Sequence, residues 1–280
     1  MKIPNFGYHF ARWEGDLRRK TYRALLPAIV HQSVYPSRVV PLDVYSYSGE
    51  VALPEQVRSI RSFLRHVGRP KGFTVITDGS HSARSIELLK KIDPVVSIRP
   101  VGENLPRDLP ETFRHYVTTF PMGKQLGLIM SLPRNDPALY VDSDVLFFPG
   151  AADLARDFTG KETPAFFLPD CQNCSADPRL LRGPKEALQP VNSGLLILLR
   201  PLDWSLGIHR FLELEGKPNF FTNQTIVHLV LHANGALPLD GTKYVLQLDD
   251  QFTYLDRYAG PHLVLRHYVN PVRHKFWTTF

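Results

Sequence analysis

Residues 138–150, ALYVDSDVLFFPG, carry two aspartates one residue apart between apolar runs. Residues 138–141 and 145–148 read as buried strand. Side chains two apart on an extended chain point to the same side. Asp142 and Asp144 can therefore aim at one point, with the small Ser143 between them. Buried charge must be compensated. A hard divalent ion with oxygen ligands would do so while keeping places for water and substrate phosphates. Aspartates also cap strands and turns, but apolar strand on both sides favours the metal reading.

Other polar residues fall at or just beyond predicted strand ends: Asp78, Asp170 and His267. Residues 266–277, RHYVNPVRHKFW, gather Arg266, His267, Arg273, His274 and Lys275 around one proline. Such a local excess of positive charge suits a pyrophosphate. Phe276 and Trp277 argue that this segment docks on the body of the protein.

The elements that would position these groups alternate. Helices are predicted over 8–31, 53–68, 82–92, 121–133 and 222–235, and strands over 41–47, 73–80, 95–101, 138–148, 163–170, 192–199 and 262–269. Pro54 and Gly68 suit the start and stop of the second helix. The pattern predicts an open, mostly parallel sheet with helices on both faces, which binds ligands at the carboxyl ends of its strands. The chain is read as one α/β domain over 1–280, with 1–40 a helical extension and 102–120, 171–190 and 236–258 as loops.

With these residues in place, LYVDSDVLFF resembles the metal-binding DxD stretch of GT-A fold glycosyltransferases, most closely glycosyltransferase family 8. AFFLPD (165–170), VNSGLLIL (191–198) and LRHYVNPVRHKFW (265–277) resemble, in the same order, the family's sugar-facing aspartate strand, FNSG strand and C-terminal HxxGxxKPW segment. The resemblance implies a GT-A-like fold and transfer of sugar from a nucleoside diphosphate sugar, UDP-linked, to an unknown acceptor. Asp142, Asp144 and His267 would hold Mn²⁺ or Mg²⁺, the imidazole favouring Mn²⁺, and Asp142 would also touch the ribose. Lys275 would bind the diphosphate within a metal and diphosphate segment spanning 262–280, with His274 and Lys124 in support. Asp170, Asn192 and Ser193 would face sugar or acceptor. Asp170 is the candidate base of an inverting reaction, with Asp249 and Asp250 in reserve; Gln224 would support the sugar in a retaining one. Asn223 stands where the family has an aspartate. His267 and Lys275 are two residues further apart than in the family pattern, and Asn270 stands where it has glycine.

Exclusions narrow the class. There is no GxGxxG after the first strand, no GxxxxGK[ST] and no HExxH. A nucleotidyltransferase would need a glycine-rich basic loop that 44–54 lacks, and a non-catalytic sugar binder would not need the DxD, His267 and Lys275. The composition is that of a soluble globular protein, 43% hydrophobic and 21% charged. The net charge of +6 is scattered and shows no nucleic-acid motif. No stretch is apolar enough to span a membrane and no signal peptide is visible, so a cytoplasmic protein is expected. The basic cluster Arg18, Arg19, Lys20 and Arg23 reads as a solvated helix face, with peripheral membrane contact left open. Cys171 and Cys174 read as two loop thiols.

Overall fold

The computed structural model describes residues 5–279 apart from 102–104, 107, 155–157, 159 and 173–174. Ten strands are described: β1 (Asp43–Ser48), β2 (Gly72–Thr77), β3 (Val96–Pro100), β4 (Ala138–Val141), β5 (Val145–Phe147), β6 (Ala165–Pro169), β7 (Val191–Leu198), β8 (Leu237–Pro238), β9 (Tyr244–Val245) and β10 (Leu265–His267). The helices are α1 (Phe6–Ile29), α2 (Leu53–His66), α3 (Ala83–Lys90), α4 (Glu111–Thr119), α5 (Pro121–Met130), α6 (Ser205–Leu212), α7 (Thr222–Ala233) and the single turn α8 (Lys275–Thr278).

A seven-stranded sheet runs β3-β2-β1-β4-β7-β6-β8, and a three-stranded sheet runs β5-β10-β9. The large sheet is mostly parallel, as the alternating pattern implies. Strand β7 is the exception and lies antiparallel to both β4 and β6. Side chains alternate along each strand. Leu139 and Val141 of β4 join one apolar cluster with Val44, Phe63 and Phe73. Tyr140 joins the other with Phe113, Phe167 and Ile226. Both faces are thus covered by helices, which explains why the strands are near-continuous hydrophobic runs.

Helices α4 and α6 fall in stretches for which the residue pattern predicts no helix. Phe113, Tyr116 and Val117 are buried at helical spacing, a signal three residues long and bounded by prolines. Cys171 is exposed after β6, and Cys174 lies outside the described residues. No described helix is long and apolar enough to cross a membrane.

The termini meet. Helix α1 starts at Asn5, whose Oδ1 accepts from the Tyr8 amide at 3.1 Å, and continues past Pro27. Its buried Gly15 faces the 267–277 segment, where Tyr22 packs at a tilt against Trp277 with ring centroids 5.2 Å apart. A Cβ on Gly15 would come within 2.7 Å of the His274 carbonyl oxygen. Glycine in mid-helix forfeits about 1 kcal/mol against better helix formers, so close approach is what this position is for. Gly15→Leu should lower the thermal midpoint, because overpacking at a backbone contact exceeds that propensity gain. Differential scanning calorimetry tests this; an unchanged or raised midpoint would show that α1 is not clamped to the C-terminal segment.

Candidate active site

The short second sheet is what builds the site. After Val141 the chain leaves the large sheet, turns through Asp142 to Asp144, and enters β5. Strand β10 pairs antiparallel with β5, setting His267 opposite Val145, and the Tyr268 amide donates to the Asp144 carbonyl at 2.9 Å. On the other side the Asp142 amide donates to the Gly194 carbonyl of β7 at 2.8 Å. Three strands therefore deliver Asp142, Asp144 and His267 to one place.

The His267 Nε2 lies 3.0 Å from Asp144 Oδ1 and 3.8 Å from Asp142 Oδ2. One ligand atom from each of the three residues fits within 4.8 Å of the others. Neighbouring donors about 2.1 Å from an octahedral ion sit roughly 3 Å apart, so the geometry fits a small divalent ion. Two carboxylates with one imidazole suit Mn²⁺ or Mg²⁺.

Each donor is aimed by neighbours. Tyr140 Oη and Gln125 Nε2 donate to Asp142 Oδ1 at 2.7 and 3.0 Å, leaving Oδ2 turned to His267. His267 Nδ1 donates to Asn192 Oδ1 at 2.9 Å, which directs Nε2 at the acids. Such outer partners fix imidazole orientation in metal sites. Burial pushes the Asp142 carboxyl up, only partly offset by His267. Burial also acts on Asp144, but His267 and Arg273 outweigh it and bring it down to about 2. Burial disfavours charge on His267, while the two aspartates favour it more, so its imidazole is held above its ordinary value. A proton on Nε2 and a divalent ion are alternative occupants of one position.

The three residues lie in the wall of a cavity of about 680 Å³, ample for a small ligand. Asp170, Asn192, Ser193, Asn223 and Gln224 line it as well. Asp170 Oδ2 accepts from Asn192 Nδ2 and Gln224 Nε2, both at 3.2 Å. Ser193 is buried, and its amide donates to Gln224 Oε1 at 3.5 Å. Asn223 is buried and donates to Gln125 Oε1 at 2.7 Å, supporting Asp142 through Gln125.

The basic residues expected around a diphosphate part company. Lys275 is fully buried outside the cavity lining; its Nζ donates to the Leu255 and Thr253 carbonyls at 2.6 and 2.9 Å and lies 3.6 Å from Asp250 Oδ2. It fastens the 250–257 loop. Arg266 is buried with Asp250, at 2.7 Å, and with Asp256. That pairing takes Asp250 away from any role as base, while Asp249 is exposed and accepts from Tyr258 Oη. His274 packs edge-on to Tyr8, and burial takes its imidazole down to about 4, so it carries no charge near neutrality. Lys124 points from α5 to the Asp78 carbonyl at 3.3 Å; Gln125, about 100° around the helix, faces the site instead. Two arginines reach the cavity. Arg273 Nη2 donates to Asp144 Oδ2 at 2.5 Å, and Arg19 of α1 holds Glu55 at the rim.

Gly194 is the closest backbone approach. A Cβ there would lie 2.2 Å from His267 Cε1 and 2.8 Å from Asp142 Oδ2. Glycine inside a strand marks such approaches. Gly194→Ala should therefore weaken Mn²⁺ binding by about tenfold to a hundredfold while circular dichroism is preserved. Free Mn²⁺ counted by electron paramagnetic resonance checks this, and undiminished affinity would place the ion elsewhere.

No protein-family model and no curated protein matches this chain. Solved structures do. The galactosyltransferase LgtC, in complex with donor and acceptor sugar analogues, is 14% identical with a TM-score of 0.51, over 82% of this chain and 87% of its own. Another LgtC structure is of an active-site mutant in which glutamine gives way to glutamate. Mouse xyloside xylosyltransferase 1 is 13% identical with a TM-score of 0.52, over 84% of this chain and 99% of its own. The glycosyltransferase GlyE of Streptococcus pneumoniae is 14% identical with a TM-score of 0.51, over 86% and 60%. At these identities the likeness is one of architecture: the chain has the GT-A fold of these glycosyltransferases.

Proposed function

We propose that this protein transfers a sugar from a nucleoside diphosphate sugar, UDP-linked, to a hydroxyl acceptor, with a divalent ion held by Asp142, Asp144 and His267. The observation that carries the reading is the convergence of these three side chains in the wall of a large cavity. The ion, Mn²⁺ or Mg²⁺, would act as a Lewis acid on the diphosphate leaving group.

The chain's own residues supply the rest. Arg273 is the cation for the diphosphate, in place of Lys275. It stands six residues after His267, the spacing at which the family segment HxxGxxKPW carries its lysine. It is already beside Asp144, and its guanidinium is half-exposed to the cavity. A planar guanidinium offers two parallel donors to a phosphate. Arg19, tied to Glu55, extends the positive rim.

Asp170 and Gln224 line the same cavity, hydrogen-bonded to each other and, through Asn192, to His267, and would face the sugar. An active-site glutamine is the residue changed in one LgtC structure, and Gln224 is the counterpart we assign here. An inverting reaction would use Asp170 to take the acceptor proton; a retaining one would use Gln224 to support the sugar face. The anomeric configuration of the product, read by NMR, decides between them.

Isothermal calorimetry with UDP and Mn²⁺ tests the assignment. Wild type should bind UDP only with the ion, and Asp142→Ala and Asp144→Ala should each weaken binding by more than about a hundredfold. Arg273→Ala should cost about tenfold to a hundredfold, the worth of a charged hydrogen bond, whereas Lys275→Ala should act on thermal stability. Metal-independent UDP binding, unchanged by both aspartate substitutions, would refute the proposal.

A further inference from the structure

Helix α1 carries apolar residues on the face turned away from the protein. Phe6, Phe10, Trp13 and Leu17, spaced four, three and four apart, form one stripe and are 74%, 52%, 59% and 48% exposed. The residues that α1 buries, Ala11, Gly15 and Leu26, lie on the opposite side. The loop fastened by Lys275 widens the stripe. Phe252, Tyr254 and Leu255 are exposed there, Phe252 edge-on to Tyr8 at 5.2 Å and Tyr254 beside Phe10 at 5.9 Å. Exposed apolar patches of this extent mark interaction surfaces.

We infer that α1 and the 252–255 loop form a docking surface for an anionic lipid bilayer, on which the protein lies without crossing it. Three observations select this occupant. The stripe is dominated by aromatic rings, the side chains that settle at a membrane–water boundary. The helix bears five cationic side chains against two acidic ones, and exposed Lys20 lies beside the stripe, one turn on from Leu17. The chain as a whole carries +6, so a second copy would bring like charge to the same face, whereas an anionic surface complements it. The helix is too polar to span a bilayer. Of the basic cluster 18–23, Lys20 borders the apolar stripe, while Arg18, Arg19 and Arg23 pair with Glu14, Glu55 and Glu50.

Trp13 provides the probe, because the other two tryptophans, Trp204 and Trp277, are buried. The experiment is co-sedimentation of the full chain with vesicles of phosphatidylcholine alone, or with about one third phosphatidylglycerol, followed by tryptophan emission. Wild type should pellet with the anionic vesicles, shift its emission to the blue, and lose affinity as salt is raised. Phe10→Ser combined with Trp13→Ser should reduce partitioning by at least about tenfold while UDP binding with Mn²⁺ is retained. Lys20→Glu should weaken binding to anionic vesicles with emission at low salt otherwise unchanged. Three results would overturn the inference: no partitioning of wild type at low salt, partitioning of the double variant equal to wild type, or a wild-type dimer that the double variant dissociates and that ignores vesicles.

Discussion

Two carboxylates held close together in the wall of a cavity, one of them buried, call for neutralisation, and the region around Asp142 and Asp144 is organised by that requirement. Like charges within 4.8 Å repel by roughly 3 kcal/mol at an effective dielectric constant of 20. Turning both side chains out to water would relieve this at once. Instead Tyr140 and Gln125 hold Asp142 in place, and His267 and Arg273 hold Asp144. The two acids differ as a result: burial keeps the Asp142 carboxyl high, and its cationic neighbours keep that of Asp144 low. A divalent ion would resolve the remaining repulsion by taking the position that a proton on His267 would otherwise fill.

The fold can be followed outward from that constraint. The turn bearing Asp142 and Asp144 is where the chain passes from the large sheet to the small one, so both residues answer to both sheets. Strand β7 reverses direction and slides a glycine beneath the imidazole. Strand β10 brings His267 from more than a hundred residues away. Helix α1 then closes over the C-terminal segment through Gly15 and leaves its aromatic side outward. One helix thereby contributes Arg19 to the cavity, a clamp to the termini and an apolar face to the surroundings.

Much of this was legible in the sequence because the relevant signals are local. The DxD between apolar runs, the asparagine and serine before Gly194, and the alternation of helix and strand each occupy a few consecutive residues. The antiparallel course of β7 was not legible, since an apolar strand buried on both faces looks the same in either direction. The fate of the basic cluster needed direction as well as composition. Arg266, His274 and Lys275 turn to partners chosen by tertiary structure, and of the five basic residues in 266–275 His267 and Arg273 line the cavity. Its six-residue separation from His267 was a usable clue. Gln125 was hidden by the adjacent Lys124: charge drew attention to the wrong face of α5. The helix over 111–119 lay in a stretch that prolines and polar residues made read as loop.

The account rests on one ion being shared by a turn and a distant histidine. The direct measurement is a crystal soaked with Mn²⁺ and UDP, with anomalous difference density collected to place the metal. A single strong peak within about 2.3 Å of Asp142, Asp144 and His267 is the predicted result. A peak that excludes His267, or no peak in the cavity when UDP is visibly bound there, would contradict it.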